Sequence, residues 1–332
     1  MDHYEPRIIV TSRASWAESE GRALRRRLAA GELARLRRAV VQPSLRPLSE
    51  LPWIARPDEA LQRYLDRISA VAATRRRDVV FSHESALAIH GFPLIGDWPE
   101  DVHVVEPVTT ARRSKHGVVV HRARLRDEDV VEWMGVHVTS VARTLADLAR
   151  GGDAMTTVVA LDHALGQPEG SAGHTGKEQV AAIVESLGSW GRPRALALVA
   201  FADGRSGSPG ESGSRVRFAE LGFEIPDLQV RHRMPDGSYF DTDFKWRNSR
   251  KNRPLIGEFD GLGKYLKDDQ LGGLSPGQAV VKEKRREDAL RALDGSDFMR
   301  WGMPEVRHPH KLRALADLHG VPRAPRAPKR KN

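Results

Sequence analysis

The sequence predicts an α/β protein with several domains, and three observations carry that prediction. Short runs rich in Val, Phe and Tyr alternate with segments of helical periodicity. The 332 residues suffice for two or three domains. Stretches rich in Pro, at 45–57, and in Gly and Ser, at 204–210, separate the periodic segments. We therefore expect a winged-helix-like segment at 1–44, an α/β module at 58–200, an α/β domain at 205–315 and a basic, disordered tail at 316–332.

The overall charge favours a polyanionic partner. Lysine and arginine outnumber Asp and Glu, which gives a net charge of +9. Such an excess favours nucleic acid or an anionic membrane surface over a neutral metabolite, although a basic surface can also serve solubility alone. Because the positive charge is unevenly distributed along the chain, the sequence favours nucleic acid.

Composition and hydropathy exclude several classes of site. The chain has no cysteine, so disulfides, thiolate zinc sites and cysteine nucleophiles are excluded. The first residues lack the apolar segment of a secretory signal, and no apolar run is long enough to cross a membrane. We expect a cytoplasmic protein with no membrane partner.

The N-terminal segment combines an amphipathic helix with a basic hairpin. Leu24 and Leu28 lie one turn apart in a helix that ends at Gly31, and apolar and basic residues alternate from Leu33 onward. This is part of the outline of a winged helix-turn-helix, in which the helix enters a major groove and the hairpin holds phosphates. The alternative is a solvated basic helix without a groove partner. The candidate DNA-binding residues are Arg22, Arg25, Arg26, Arg27, Arg35, Arg37 and Arg38.

The middle module alternates strands and helices. We expect a helix at 56–77, strands at 102–106 and 117–122, and helices at 154–165, 177–187 and 190–203. Ser82 should cap a helix that ends at Gly91, and a strand from Val136 should lead through a Thr/Ser cap into another helix.

Histidines are frequent in this module, at His83, His90, His103, His116, His121 and His137. They lack the i, i+4 helical pairing with an acid that zinc hydrolases show. Packed or capping histidines are therefore the preferred interpretation.

The C-terminal domain follows the order helix, strand, strand, strand, helix, strand. Its first helix carries Glu211 in the first turn, where the helix dipole favours an acid. Strands should follow at 228–234, 239–246 and 255–259, then a helix at 280–293 and a strand from Asp297.

Four acids belong to the second and third of these strands, namely Asp241, Asp243, Glu258 and Asp260. Side chains alternate between the faces of a strand, so the sequence groups Asp241 and Asp243 with Lys245, and Phe240 with Phe244 and Trp246. If the strands pair, three or four carboxylates converge and repel one another unless a cation lies between them. An all-oxygen site suits Mg²⁺ or Mn²⁺, which can activate water and stabilise charge in phosphodiester cleavage, with Lys264 or Lys284 assisting. The alternative is a solvent-facing pair of acidic strands.

Four blocks follow one another across residues 203–310: Ser208-Pro-Gly-Glu-Ser-Gly-Ser-Arg-Val-Arg, Phe240-Asp-Thr-Asp-Phe, Gly257-Glu-Phe-Asp-Gly-x-x-Lys-Tyr and Glu283-Lys-Arg-Arg-Glu-Asp-x-Leu. Together they resemble the actinobacterial branch of the very-short-patch-repair-like endonucleases. That group belongs to the PD-(D/E)XK superfamily, whose restriction-endonuclease-like fold is a mixed sheet flanked by helices.

The resemblance implies roles for particular residues. Glu211, Asp243 and Glu258 would hold the metal and take part in catalysis. The lysine of the superfamily motif is replaced by Asp260, so its role at the catalytic site would pass to Lys264, or to Lys284. Glu283, Arg286 and Asp288 match flanking positions.

The first 165 residues contain three further blocks, Arg22-Ala-Leu-Arg-Arg-Arg-Leu-Ala-Ala-Gly, Ser82-His-Glu-Ser-Ala-Leu-Ala-Ile-His-Gly and Val138-Thr-Ser-Val-Ala-Arg-Thr-Leu-Ala-Asp-Leu-Ala. They resemble the AbiEi family, the antitoxins of type IV toxin–antitoxin systems. The resemblance implies DNA binding, autoregulation and a nucleotidyltransferase-like toxin as a partner. The sequence departs from the AbiEi pattern at Ala39, where that family often has glycine.

Two main functions follow from these observations. The first is a metal-dependent DNA endonuclease or nickase in toxin–antitoxin or phage-defence biology. The alternative is a non-catalytic DNA-binding regulator or antitoxin, in which the nuclease-like domain is only a binding platform. A third interpretation, an interaction protein whose basic surface only confers solubility, predicts no nucleic-acid binding even at low salt.

Overall fold

A computed structural model describes residues 6–11, 18–45, 48–50, 56–75, 79–108, 114, 117–133, 135–234, 236–261 and 276–325. The chain divides into two compact units: Met1–Asp153 with Glu169–Ala200, and Ala154–Pro168 with Phe201–Asn332. Both units contain helices and strands, which confirms the predicted α/β class.

The described helices are α1 (Glu18–Ala29), α2 (Arg56–Thr74), α3 (His83–His90), α4 (Val141–Gly151), α5 (Ala154–Gly166), α6 (Lys177–Ser186), α7 (Arg192–Phe201), α8 (Pro209–Glu220), α9 (Pro276–Asp294), α10 (Met303–Arg307) and α11 (Pro309–His319). The described strands are β1 (Ile9–Val10), β2 (Leu33–Arg37), β3 (Val40–Pro43), β4 (Val80–Phe81), β5 (Val102–Glu106), β6 (Val118–Arg122), β7 (Val130–Trp133), β8 (Val136–Thr139), β9 (Asp227–Arg233), β10 (Tyr239–Trp246), β11 (Leu255–Phe259) and β12 (Asp297–Trp301). Of these, β1, β7, α10 and α11 were not predicted from the sequence.

A small three-stranded sheet in the first unit has the order β1-β3-β2, with β1 before α1 in the chain and β2 and β3 after it. The hairpin of β2 and β3 buries Leu33, Val40 and Val41 and carries the exposed Arg35 and the half-buried Arg37. The predicted helix and basic hairpin are therefore present. Residues 12–17, just before α1, lie outside the described residues.

The larger sheet of the first unit has the order β6-β5-β4-β8-β7, with β5 parallel to β6 and β4 parallel to β8. Helices α2 and α3 contribute to its core, where Tyr64 and Phe81 are buried. The Tyr64 hydroxyl hydrogen-bonds Ser85 Oγ at 2.7 Å and so links α2 to α3. As predicted, Gly91 ends α3, and the Ser140 hydroxyl caps α4.

The sheet of the second unit has the order β12-β11-β10-β9. Strands β9, β10 and β11 are antiparallel neighbours, whereas β12 runs parallel to β11 after the crossover helix α9. The order α8, β9, β10, β11, α9, β12 confirms the predicted order of helices and strands. Phe218 of α8 packs edge-on against Trp246 and Trp301, with ring centroids 5.2 and 5.4 Å away. These aromatic contacts attach α8 to one face of the sheet.

Helix α5 belongs to the second unit, although the sequence groups it with the middle module. Its Asp162 pairs with Arg215 of α8 at 2.7 Å, and both side chains are buried. The Asp203 amide donates a further hydrogen bond to Asp162 at 2.6 Å. Because removal of either charge would leave the other buried and unpaired, this ion pair fixes α5 against α8.

The predicted start of the basic tail, residue 316, lies too early in the chain. Helix α11 continues to His319 and ends at Gly320, whose φ of 74° suits a helix C-cap. Beyond it, Arg323 pairs with Phe223 in an isolated bridge and donates to the Leu221 carbonyl at 3.1 Å. Residues 326–332 lie outside the described residues.

The side-chain alternation predicted for β10 does not hold along the whole strand. Phe240 packs on a cluster that contains Leu290 of α9, whereas Phe244 packs against Phe218 of α8. The register with β9 sets Asp243 opposite Gln229, whose φ is 48°. This left-handed residue interrupts the regular pleat, so Phe240 and Phe244 contact helices on different faces of the sheet.

The described helices include none with both the length and the apolar character that a membrane crossing requires.

Replacing Ala39 with glycine should stabilise the first unit. Ala39 has a φ of 64° between β2 and β3. The left-handed conformation destabilises the folded state by about 1–2 kcal/mol at a residue with a β-carbon. Glycine relieves this strain, but its greater freedom in the unfolded chain cancels about 0.5–1 kcal/mol of the resulting stabilisation. We expect the free energy of unfolding to rise by about 0.5–1 kcal/mol in urea denaturation.

Ala34→Gly is the matched control for this change. Ala34 is exposed on β2 in the same hairpin, and its φ is not positive. Glycine there adds the same freedom to the unfolded chain without relieving strain, so this variant should lose stability. Equal effects of the two substitutions would contradict the strain assigned to Ala39.

Candidate functional site

Asp243 and Glu258 occupy neighbouring positions on the two central strands of the second unit. Strands β10 and β11 pair antiparallel, with Phe244 opposite Gly257. The same register, continued by one residue, sets Asp243 opposite Glu258, where opposing residues have β-carbons about 4.5–5.5 Å apart. The Phe259 amide donates to Asp243 Oδ2 at 2.9 Å. This hydrogen bond ties the Asp243 carboxylate to the end of β11.

Glu211 lies in the first turn of α8 and accepts hydrogen bonds from three groups. The Gly207 amide and Gln229 Nε2 donate to its Oε2 at 2.8 and 2.9 Å. Ser208 Oγ donates to its Oε1 at 2.8 Å, and the Glu211 amide donates back to Ser208 Oγ at 3.2 Å. Ser208 is the N-cap of the helix, so this exchange caps α8 as well as orienting the carboxyl group.

The negative charge of Asp243 affects the pKa of Glu211. Burial raises the pKa of Glu211 above the ordinary value of 4.5, and the negative charge of Asp243 raises it further, while the three hydrogen bonds lower it. Only 4% of the Glu211 surface is exposed. A buried carboxyl group with a raised pKa beside a second carboxylate is typical of functional sites.

Two glycines allow α8 to lie this close to the sheet. A β-carbon at Gly210 would overlap the ring of Phe259, the residue next to Glu258. On β11, a β-carbon at Gly257 would lie 2.7 Å from the ring of Trp301. Gly210 therefore allows the start of α8 to lie against β11, while Gly257 makes room for the tryptophan rings that Phe218 of α8 contacts.

Two arginines lie beside the strand acids. Arg286 of α9 has its Nη2 3.7 Å from Glu258 Oε1 and its guanidinium 4.9 Å from the centre of the Phe240 ring. Arg300 of β12 is in register with Glu258, and its Nη1 lies 3.6 Å from Asp260 Oδ1. The sequence placed Arg286 only among flanking positions, and it contained no signal for Arg300.

Two lysines, Lys264 and Lys284, were predicted to take the place of the lysine of the superfamily motif. Lys284 lies exposed on α9. Lys264 lies outside the described residues.

The exposed acid Asp241 is held away from the other carboxylates by its own partner. Arg231 forms a bidentate pair with it, with distances of 2.8 and 2.9 Å. The hydrogen bond and charge of Arg231 lower the pKa of Asp241. The ion pair with Arg231 therefore explains Asp241 as a structural residue of the β9–β10 pair.

Asp243 lies near Glu211 and opposite Glu258, but the three acids do not form a closed metal cage. Within the described ranges, their oxygens do not make up a set that lies entirely within 4.8 Å. The set that meets this condition is His83, His103 and His121, in the first unit. The structure thus contains one open group of carboxylates and one compact group of imidazoles.

The candidate DNA-binding arginines are mostly available at the surface. Arg37 is half-buried, and burial together with the charge of Arg75 lowers its pKa. Arg27 pairs with Glu32 at 3.2 Å, an exposed pair that salt would weaken. The exposed members are Arg22, Arg25, Arg26, Arg27, Arg35 and Arg38.

The remaining histidines of the middle module divide into packed and surface residues. His90 Nε2 hydrogen-bonds the Thr139 carbonyl at 2.8 Å, in agreement with a packed histidine. His137 is exposed on β8, and His116 lies outside the described residues. His103 and His121 meet because β5 and β6 are parallel neighbours, which their spacing in the sequence does not reveal.

Comparison with known proteins gives relatives without an assigned function. No family model matches the chain. The uncharacterized proteins MT2308 and Rv2248, from two strains of Mycobacterium tuberculosis, are each 28% identical over 201 residues, or 60% of this chain and 68% of the relative. The crystal structure of the RV2827C protein from Mycobacterium tuberculosis aligns over 63% of this chain and 75% of its own, with 15% identity and a TM-score of 0.37. That degree of likeness carries no argument about fold or function.

Asp243→Asn should increase the stability of the metal-free protein above the ordinary glutamate pKa. The pKa of Glu211 is higher in the folded state than in the unfolded state. As the pH rises from 4.5, Glu211 therefore loses its proton in the unfolded state before it does so in the folded state. Folding stability therefore falls with rising pH across this range. Removing the Asp243 charge should make this loss of stability smaller. The difference should be about 1.4 kcal/mol for each unit by which the Asp243 charge raises the pKa of Glu211.

The measurement is urea denaturation with chelator present, from the ordinary glutamate pKa of 4.5 up to neutral pH. Asp227→Asn is the matched control, because Asp227 is an exposed acid of the same sheet that pairs with Arg247. It should not change the pH dependence assigned to Glu211. A loss of stability in Asp243→Asn would instead indicate a structural role for Asp243.

Proposed function

We propose that the second unit is a metal-dependent DNA endonuclease or nickase. The observation that carries the proposal is the meeting of Asp243 and Glu258 on adjacent strands with Glu211, a buried acid whose pKa responds to the Asp243 charge. A protein gains no stability from placing like charges together. Such an arrangement is explained by a cation and a phosphodiester substrate.

The order of elements supports the same proposal. Glu211 lies at the start of α8, Asp243 on β10 and Glu258 on β11, in the order that the resemblance to very-short-patch-repair-like endonucleases implies. The antiparallel pairing of β10 with β11, and the parallel pairing of β11 with β12, give a mixed sheet with helices α8 and α9.

The donor set fits a hard divalent cation. Carboxylate oxygens from Asp243, Glu258 and Glu211 would hold Mg²⁺ or Mn²⁺, which prefer oxygen ligands. When bound, such an ion supplies Lewis-acid stabilisation of a phosphate oxygen and lowers the pKa of a coordinated water.

The protein's own groups would prepare the site. The Phe259 amide fixes Oδ2 of Asp243 and leaves Oδ1 available. The donors from Gly207, Ser208 and Gln229 hold Glu211 in one orientation. Preorganised ligands reduce the reorganisation that binding and reaction would otherwise require.

Arg286 would supply the positive charge that the superfamily places on a lysine. Its guanidinium lies near Glu258 and is held by the Asp241 carbonyl and by the Phe240 ring. Arginine is suited to phosphate because its planar group can donate two parallel hydrogen bonds. Arg300, next to Asp260, would add to the positive potential at the same edge.

The exposed arginines of α1 and of the β2–β3 hairpin would bind the DNA backbone. This basic segment also favours a second function, a DNA-binding regulator with a nucleotidyltransferase-like toxin as its partner. In that case the acids of the second unit would be a remnant or a binding platform. Either function requires access to DNA, so a cytoplasmic location belongs to both proposals.

Plasmid cleavage distinguishes the two functions. With Mg²⁺ or Mn²⁺, the purified chain should nick or cut supercoiled DNA, and chelator should stop it. Asp243→Asn and Glu258→Gln should each reduce the rate by at least about 100-fold, since each removes a charged ligand from the reacting phosphate's surroundings.

Asp241→Asn is the matched control on the same strand. It removes an acid two residues from Asp243 that is exposed and paired with Arg231, so cleavage should stay near the wild-type rate. Cleavage that survives both Asp243→Asn and Glu258→Gln would exclude the proposed site. DNA binding without cleavage in any divalent metal would favour the regulator.

Binding of the full chain to duplex DNA should depend on the arginines of α1. Removing one arginine–phosphate interaction should lower the slope of log K against log salt by about one. We expect Arg25→Gln and Arg26→Gln each to weaken binding without changing sequence preference, as measured by fluorescence anisotropy at several salt concentrations. The control Arg124→Gln removes the same charge from an exposed position outside this segment. An equal effect of Arg124→Gln would mean that net charge, rather than this segment, governs binding.

A further inference from the structure

A second group of polar side chains, in the first unit, has the composition of a metal site. His103 lies on β5, His121 lies on the parallel neighbour β6, and His83 begins α3 directly after β4. The Ser82 amide donates to the His103 carbonyl at 3.1 Å, which continues the pairing of β4 with β5 into the start of α3. Three distant segments of the chain therefore bring three imidazoles together.

The distances between donor atoms resemble those around a tetrahedral ion. His103 Nδ1 lies 3.0 Å from His121 Nε2 and 3.3 Å from Glu84 Oε2. Two ligands bound to tetrahedral zinc at about 2.0–2.1 Å lie about 3.3–3.4 Å from each other. One ligand atom from each of the three histidines falls within a common span of 4.8 Å. Glu84 is not part of that set but lies beside His103, so side-chain reorientation is needed before the four groups can enclose an ion.

Burial disfavours the protonated form of all three imidazoles. Burial, with the charges of neighbouring histidines, lowers the pKa of His83 and lowers that of His121 to about 4. Burial also lowers the pKa of His103. A neutral imidazole keeps a lone pair on one ring nitrogen, which is the ligand that zinc and related ions require.

Glu84 has a buried side-chain oxygen that the described residues of the first unit leave without a hydrogen bond. Its Oε2 is buried and makes no hydrogen bond with any described residue, although His103 Nδ1 lies 3.3 Å away. A buried polar oxygen without a donor is costly, and a cation at this point would satisfy it.

A packed stack of histidines is the competing explanation. His83 stacks on His121 with ring centroids 3.6 Å apart, and His103 and His121 share one hydrogen bond. These contacts explain how the three rings pack. They leave Glu84 Oε2 without a hydrogen-bond donor among the described residues. They also leave unexplained the φ of 51° at His83, a left-handed conformation that is strained in a residue with a β-carbon.

We propose that His83, Glu84, His103 and His121 form a zinc site that joins the start of α3 to strands β5 and β6. Three imidazoles and one carboxylate suit Zn²⁺ and not Mg²⁺, which prefers a set of oxygens. Four protein ligands make a closed, structural site. His83 Nδ1 contacts Ser82 Oγ at 3.1 Å, which leaves Nε2 as its ligand atom. Binding requires the His83 ring to tilt out of its stack on His121.

Zinc titration of the full chain by calorimetry, after removal of metals with chelator, tests this site. His103→Gln and His121→Gln should each weaken zinc binding by on the order of 100-fold or more. His137→Gln, an exposed histidine on β8 of the same sheet, should bind zinc as the wild type does. Asp243→Asn should also leave the affinity unchanged, which separates this site from the acids of the second unit.

X-ray absorption of the zinc-loaded wild-type chain provides a test that does not depend on variants that fold. Three imidazole nitrogens and one oxygen at about 2.0–2.1 Å would support the site. A zinc shell composed mainly of oxygen would overturn the proposal. So would wild-type affinity in both His103→Gln and His121→Gln.

Discussion

Helix α8 can bring Glu211 next to Asp243 only because the helix and the sheet touch through glycine. Gly210 immediately precedes Glu211, and a β-carbon there would overlap the ring of Phe259. Phe218 then fills the adjoining space against the aromatic side chains of β10 and β12. Close packing of this kind leaves no room for a shift of the helix along the sheet. The hydrophobic contact that folds the second unit therefore also fixes the distance between Glu211 and the strand acids.

That contact has an electrostatic consequence, because it removes Glu211 from water beside a second carboxylate. Burial and the Asp243 charge both disfavour the ionised form of Glu211, and three hydrogen bonds offset them only in part. Elsewhere in the same unit, the buried charge of Asp162 has Arg215 as a direct partner. The fold can thus pair a buried acid with an arginine, but near Asp243 it aligns acids instead. A site that retains such repulsion is better explained by function than by stability.

The sequence predicted Asp243 and Glu258 because acids stand out within apolar strands, and it predicted Glu211 through the resemblance. Local patterns also predicted the hairpin of the N-terminal segment, the glycine that ends α3 and the N-cap of α4, whereas Ser82, predicted to cap α3, stands at the N-cap position without a side-chain capping hydrogen bond. The same patterns failed at β10, where the positive φ of Gln229 on the neighbouring strand breaks the alternation. Arg300 was missed because its position depends on the parallel pairing of β12 with β11, across the whole of α9. Long-range register is the information that residue spacing lacks.

Long-range register also brings together three of the histidines, which the sequence interpreted as packed or capping residues. Parallel pairing of β5 and β6 sets His103 and His121 on one diagonal, and α3 adds His83 and Glu84. The two candidate metal sites then differ in chemistry as well as in place. Carboxylates alone favour a hard ion such as Mg²⁺, while imidazoles favour Zn²⁺. In a chain without cysteine, histidine supplies the softer ligands. Ligand type would thus suit a structural ion to the first unit and a reactive ion to the second.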